Sequence, residues 1–593
     1  MTRLFVPLAI LWLAACGDAE SALMAGPDGG GGSPPKPDAG ASCAPGELEL
    51  ADGSCRAAGV DPDDCAEGFV PSDGGCDPVL PDPPCAPGMI AVPGDTECRE
   101  IMPCGTAPWG DIPVESDTQY VDGTYAGGDS DGTADKPWTT ISSAVTAATP
   151  GAIVAVAAGS YPEDVTLNSA ALRLRGRCPS LVEIVGQEPQ YAAVVIWAAG
   201  TEVGGLATRG PGGGIAVAAL DVSLDHVWVH DTEDYYGLGA QADVGPASLI
   251  VTDSLVEGAY DTGMSALGGD LTVERCLIRD PGGGEGLGVR AAPHPQTDTL
   301  GSITIRDSLL ERNRYFGIYA AASHLQLEAT VVRDTEADPQ GGYGVGAQIR
   351  DDQLTQVLGS GTIVSSVFSG NRTTGLVIAD SAVTMDSSVM RDTRPDAQTQ
   401  GLGRGIQVIT DRTDGPRASF LLSRSLLERN REAALVIVGS EMTANSALIR
   451  ETLPTLSGGI HGRGMSIQVH PDNGRRSNVQ IAGSVVEQCH TSGIAVFASD
   501  AIIEDTVVRD TAPQPTNDFY GRGITLQGSP ETWEPTSATL SRVLVERTDD
   551  VGISVVGSDA IVEWTIVRDT SARAADDQFG DGIVVDGSDG HPA

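Results

Sequence analysis

The sequence predicts an all-β solenoid, and three observations carry that prediction. Glycine numbers 75 and aromatic residues make up only 4% of the 593 residues, which favours turn-rich β structure over helical bundles. An arginine that closes a recurring phrase falls at 279, 333, 391, 450, 509 and 568, giving spacings of 54, 58, 59, 59 and 59. The first glycine of a G-x-G pair, at 237, 286, 344, 403, 462, 521 and 580, settles to the same period. Each unit divides again, because Glu487 to Arg509 spans 22 residues and Arg450 to Glu487 spans 37. A short rung therefore alternates with one carrying 15 more residues (37 − 22). Twenty-two residues are too few for a helix pair, and the phrase lacks the leucine–asparagine signature of leucine-rich repeats. The stretch "GISVVGSDAIVEWTIVRDT" instead offers three apolar runs broken by polar turns. That is one coil of a β-helix, with equivalent residues stacked ~4.8 Å apart.

The chain opens with Met1-Thr2-Arg3, an apolar run to Leu13, then Ala14-Ala15-Cys16-Gly17. So short an apolar segment ending in small residues reads as a signal peptide over 1–15, not a spanning helix. The Leu-Ala-Ala-Cys-Gly string resembles the bacterial lipobox. That resemblance implies cleavage before Cys16, lipidation of its thiol and anchoring to the cell envelope, most naturally the outer membrane. Residues 16–42 are a Gly/Pro/Asp tether with no means of forming a core. The formal charge of −45 sets nucleic acid and anionic membrane surfaces aside as partners. With only two lysines, Lys36 and Lys136, the basic residues are nearly all arginine.

Residues 43–104 hold seven of the eleven cysteines in a roughly periodic phrasing. In an exported chain this reads as a stalk of small disulfide-stapled knots. The spacing suggests Cys43–Cys55, Cys65–Cys76 and Cys85–Cys98, leaving Cys104 for Cys178. A zinc site is the rival, but the stretch has no CxxC pair and no histidine.

Farther on, Trp138, Ile141, Val145 and Ala148 mark one face of a short helix, followed by a Pro-Gly break and an alternating strand. Such a helix suits a lid over the first rung of a solenoid. The string Tyr120-Val121-Asp122 is followed by Gly132-Thr133 and Lys136-Pro137-Trp138-Thr139-Thr140-Ile141. Pro150-Gly151 and Gly159-Ser160-Tyr161 complete a set that resembles the N-terminal cap of right-handed parallel β-helix proteins in the pectate-lyase-like superfamily. The resemblance covers roughly residues 118–593 and implies a right-handed parallel β-helix there, of the carbohydrate-binding or sugar-hydrolase type. Asp129-Ser130-Asp131-Gly132 looks calcium-like but lacks an EF-hand's ligand spacing, so no cofactor is assigned.

Stacking gives the repeated phrase a purpose. One position reads, rung by rung, Glu257, Arg279, Glu311, Arg333, Ser369, Arg391, Glu428, Arg450, Glu487, Arg509, Glu546 and Arg568. Acid and base alternate with one exception, so each charge is expected to meet its opposite above and below. The next position alternates in the opposite phase, from Arg312 and Asp334 to Arg547 and Asp569. The third is Asn, Thr or Cys489, expected to form hydrogen-bonded ladders. Gly263, Gly317, Gly375, Gly493 and Gly552 then suit a turn needing positive φ. The phrase reads as scaffold, not as a reaction site copied many times.

Other motifs fall to the same test. Gly403-Arg404-Gly405 and its copies precede no helix that could hold a phosphate. His226, Trp228 and His230 could ligate a metal on one strand face, yet His230 occupies a ladder position, and structure is favoured. Cys276 and Cys489 replace repeat residues and are expected to be unpaired.

Active members of the resembled superfamily gather carboxylates, basic residues and often calcium on the outer face of one sheet. Here the outward positions after the repeated glycine read Gln241, Arg290, Gln348, Gln407, Ser466 and Thr525 in long rungs. Short rungs give Tyr319, Val377, Val436, Ala495 and Ser554. That face holds almost no charge, and the catalytic strings of galacturonases and alginate epimerases are missing. The sequence variation sits in the long rungs, in loops such as "ITDRTDGPRAS" and "HPDNGRRSNVQ", expected as one row along the rod. The expectation is a lipid-anchored rod that binds a polysaccharide or cell-surface glycan without catalysis. The alternative is a polysaccharide lyase, hydrolase or epimerase. The last rung breaks off mid-repeat without a polar cap, so a chain continuing beyond Ala593 is expected over an edge covered by a partner.

Overall fold

The computed structural model describes residues 43–587 apart from 50–53, 107, 234–235, 339–340, 530–531, 533 and 574. The leader, Cys16 and the tether lie outside the described residues, as do 588–593.

Each coil supplies three short strands, and like strands of successive coils pair in parallel. Sheet I runs from Gln119–Val121 to Asp559–Glu563, sheet II from Gly159–Tyr161 to Ile566–Arg568, and sheet III from Val165–Leu167 to Asp581–Asp586. The body is a right-handed parallel β-helix. The strand Ser302–Arg306 shows why sheet I folds as it does: Ile303 and Ile305 are buried while the residues between them face water. Alternation of this kind suits a half-buried strand. Stacked over the coils, these inward residues form one continuous core from Val121 to Val555.

A short helix, Ile141–Ala147, closes the first coil, burying Ile141 and Ala144. Thr140 caps its start, and the Glu163 carboxylate accepts the amides of Ile141 at 2.8 Å and Ser142 at 2.9 Å. Trp138, Val145 and Ala148 pack against the core from the same side.

Sheet II is built differently. Its strands carry two apolar residues in succession, as in Leu309-Leu310 and Val485-Val486. The second of each pair joins the core, while the first faces outward into a separate apolar cluster. That cluster is completed by Leu48, Val60, Phe69, Ile90, Val92 and Ile101 of the Cys-rich segment. The segment expected to stand off as a stalk therefore lies flat along sheet II as a strap. Burying each such side chain is worth about 1.5–3 kcal/mol, so an exposed apolar column would be costly. The strap holds disulfides Cys43–Cys55, Cys65–Cys76 and Cys85–Cys98, and Cys104–Cys178 fastens its end to the first coils.

The strap runs opposite to the growth of the helix. Ala44 accepts from Arg509 at 2.8 Å, Gly59 donates to Ser446 at 2.9 Å, and Gly88 donates to Glu257 at 2.8 Å.

The repeated glycines play a different part from the one expected. Gly317 and its equivalents do not have positive φ; a Cβ on Gly317 would stand 2.6 Å from the Gly346 carbonyl oxygen and 2.8 Å from Val332. Close stacking, not turn geometry, demands glycine there. Left-handed conformation falls instead on non-glycine residues of the phrase: Arg312 has φ 51°, Asp334 55°, Arg429 50° and Asp510 54°, and Tyr315, two residues before Gly317, has 60°.

Candidate functional site

The charged columns stack in the register expected from the repeat, from Glu257 opposite Arg279 to Glu546 opposite Arg568. Every arginine of the column except Arg391 pairs with the glutamate of the coil before it. Arg333 meets Glu311 at 2.7 Å, Arg450 meets Glu428 at 2.9 Å, Arg509 meets Glu487 at 2.6 Å and Arg568 meets Glu546 at 2.6 Å. The second column alternates in the opposite phase, and its arginines also pair with the coil before, Arg312 with Asp280 at 2.6 Å, Arg429 with Asp392 at 2.8 Å and Arg547 with Asp510 at 2.7 Å. The hydrogen bonds to these aspartates hold the three guanidiniums above their ordinary range. Glu311, Glu487 and Arg509 are at most 3% exposed beneath the strap. Charges so buried and paired have no room for a substrate.

The third column behaves as a hydrogen-bond ladder. Asn430 accepts from Thr393 through its amide at 3.3 Å and its hydroxyl at 2.7 Å, and donates to the Met390 carbonyl at 3.0 Å. Cys489 and Cys276 are buried free thiols, each pushed up to about 12 by burial.

His226, Trp228 and His230 do not converge. His226 sits in a left-handed turn with φ 51° and pairs with Asp225 at 2.9 Å. The His230 ring stacks on Trp228 at 4.1 Å and its strand position pairs with Glu257. Asp225, His226 and Asp253 lie within mutual reach, but Arg275 engages Asp253 at 2.7 Å and Thr252 donates to Asp225 at 2.9 Å. Asp129 and Asp131 bind Lys136 at 2.7 Å and the Thr133 hydroxyl at 2.7 Å, leaving them engaged in their own turn.

Sheet III is where the outer surface changes character. The extra residues of the long rungs divide between its two edges, such as 392–403 on one side and 410–418 on the other. The loops expected as one row all leave the edge toward sheet I; a second row, not expected from the sequence, leaves the other edge, and sheet III forms the floor of a trough between the two. The loops are ordered by their own first residues: His294 accepts the Thr297 amide at 3.3 Å, Asp352 that of Leu354 at 2.9 Å, and His470 that of Asp472 at 3.2 Å.

The floor also departs from the sequence reading. Its central column is Gly239, Ser265, Arg290, Tyr319, Gln348 and Val377, so Gln241 belongs two residues away, beside Leu267. Flanking floor strands carry Arg350, Arg404, Arg463 and Arg522 as well, and the face is not poor in charge. Arg404 pairs with Glu432 and Arg522 with Asp550 at 2.8 Å.

Toward the N-terminal half the trough deepens into a cavity of about 530 Å³. Arg290, Tyr315, Phe316, Tyr319, Arg350 and Asp351 line it, with loop residues Pro293–Pro295 and Asp352–Thr355 as walls. Phe316 lies 4.4 Å from Tyr315 and 5.3 Å from Tyr319, and Tyr343 lies edge-on to Tyr315 at 4.8 Å. Burial raises the Tyr319 hydroxyl above its ordinary range. Arg290 makes no hydrogen bond or ion pair among the described residues. The Asp351 carboxylate is 2% exposed; Arg412 holds one oxygen at 2.5 Å, while Oδ1 is buried without a hydrogen bond and has the Arg350 guanidinium 3.6 Å away. An unsatisfied buried acceptor costs about 1–3 kcal/mol, more when charged. In the next coil, Asp380 is 4% exposed and pushed up to about 6, by burial first and then by the nearby Asp351 and Asp411 charges.

No protein-family model matches the chain, and no curated protein matches it. Among solved structures it is similar to the A-module of mannuronan C-5 epimerase AlgE6 from Azotobacter vinelandii. The TM-score is 0.35 and the identity 11%, over 72% of this chain and 93% of that one. The periplasmic alginate epimerase AlgG gives 0.31 and 10%, over 70% and 77%. Tailspike protein 2 of Escherichia coli O157:H7 bacteriophage CAB120 gives 0.30 and 12%, over 60% and 41%. At that level of agreement the likenesses carry no argument about ligands, and the fold rests on the strand pairings above.

Proposed function

We propose that the protein is a lipid-anchored envelope rod that binds a polysaccharide along the trough of sheet III without turning it over. One observation carries the reading. In a walled cavity, the unpaired guanidinium of Arg290 stands beside the Tyr315–Phe316–Tyr319 rings, with the buried Asp351 carboxylate paired to Arg412 and Arg350 in the wall. A sugar offers apolar C–H faces to the rings and hydroxyls that accept from the guanidinium, so it complements both features. The trough's run along successive strands of sheet III suits a chain rather than a single small molecule.

A glycan array with the full chain tests the reading, with Arg290→Ala and Tyr319→Ala as controls that leave the ladder intact. Binding lost in both variants, with no reducing sugar or unsaturated product from the bound polymer, is the expected result. The alternative, a lyase, hydrolase or epimerase, draws on Asp380, whose carboxyl burial pushes up to about 6 and so suits it to hold a proton beside Asp351. Turnover abolished by Asp351→Asn would favour that alternative.

A further inference from the structure

We infer that the rod is held at its C-terminal coils, with the helical cap and the Arg290 cavity turned away from the lipid surface. This rests on the anchored reading above but adds a direction, which the strap supplies. An N-terminal anchor on a solenoid would ordinarily hold its first coil. Here the chain first meets the body beside the late coils. The Gly46 amide donates to Glu487 at 3.1 Å, and Arg509 donates to the Ala44 carbonyl at 2.8 Å. Only then does it descend the length of sheet II. Arg450 holds Asp73 at 2.7 Å, Arg279 donates to Ala86 at 2.8 Å, and Cys104–Cys178 closes the path at the first coils.

The level of entry can be placed on sheet III. The strand Ser492–Phe497, between Glu487 and Arg509, is the thirteenth of sixteen in that sheet. Twelve steps of ~4.8 Å lie on the cap side and three on the other, or ~58 Å against ~14 Å. The strand Leu287–Ala292, which carries Arg290, is the sixth, so seven steps displace the cavity ~34 Å toward the cap side. A first-coil attachment would instead put the cavity five steps, ~24 Å, from the held coil and leave the late coils farthest from the membrane.

Single-thiol labelling reads the direction. Thr146→Cys on the cap helix and Glu563→Cys on the last strand of sheet I are both exposed, whereas Cys276 and Cys489 are buried. Each variant, dye-labelled, is placed on vesicles whose lipid headgroups carry an energy acceptor. One arm uses the mature chain extracted from cells; the other has a histidine tag before Gly17 on nickel-chelating lipid. Transfer several-fold higher from the Glu563→Cys label in the tagged arm is expected, and equal or reversed transfer there overturns the inference. Failure of the extracted chain to join vesicles, with the tagged arm behaving as expected, would reject the lipid anchor and leave the direction standing. Non-reducing mass mapping of both variants verifies that the four disulfides are unchanged.

Discussion

Arg391 finds its carboxylate on Asp77 of the strap, because Ser369 stands where the ladder's acid–base alternation calls for a glutamate. The next glutamate, Glu428, is 3.8 Å away on the other side. The single break in the column is thus repaired from outside it, and the strap completes the charge pairing as well as the apolar packing. Losing one partner of a buried pair costs about 3–5 kcal/mol. Asp77 is more exposed than its partner, so Asp77→Asn should cost less than that and lower the melting temperature measurably. Ser369→Glu should restore part of the loss, read by thermal unfolding of the single and double variants.

Arg450→Glu should be more damaging, since Arg450 serves both Glu428 and Asp73. Glu428→Arg in the same chain should recover part of the loss. Arg547→Glu, in the half-exposed second column, should cost more than the ~0–1 kcal/mol expected of a surface pair, because it sets like charges together. It should still cost less than Arg450→Glu. Equal melting of Arg450→Glu and the double variant would remove the ladder argument.

Disulfide Cys104–Cys178 closes a separation of 74 residues, for which chain entropy alone gives about 4 kcal/mol. The Cys104→Ser/Cys178→Ser pair should therefore release the first-coil end of the strap. Hydrogen exchange should rise around Ile101 while the Cys43–Cys55 end stays protected. Cys276 and Cys489 should resist alkylation in the folded chain at neutral pH, because burial raises both thiols.

Asp380 gives a pH signature. Its folded value, about 6, lies above the unfolded 3.8, so the folded state holds the proton more tightly. Its contribution to stability is full below about pH 4 and is lost as pH rises through about 6. Asp380→Asn should therefore gain on the parent chain between those values and keep a constant lead above them. Parallel melting of the two proteins from pH 4 to 8 would show the carboxyl to be unperturbed.

The repeat made the coils legible because stacked positions recur at a fixed period, and columns of residues can be read without coordinates. The ladder register followed from that alone. The docked strap did not, although its signal was present. Consecutive apolar residues such as Leu426-Leu427 imply a strand apolar on both faces, and so a sheet that something must cover. The cavity was missed for two reasons. Gln241 follows its G-x-G pair at the same distance as Arg290 yet stacks two residues away from that column, and the G-R-G pairs give no sign in the sequence that their arginines lie on the floor of sheet III. Arg290 directly beneath Tyr319 was visible in the sequence, but Asp351 joins them only through a loop whose path no periodicity dictates.

The central claim is that the repeated charged phrase is scaffold and that recognition resides in the Arg290 cavity. Equilibrium binding of a polysaccharide hit to three full-length proteins tests it most directly: parent, Arg290→Ala and Arg547→Ala, each with its melting temperature recorded. The account predicts that Arg290→Ala loses binding with unchanged melting, while Arg547→Ala melts lower and binds as the parent does. Undiminished binding by Arg290→Ala, with binding lost in a folded Arg547→Ala protein, would contradict it.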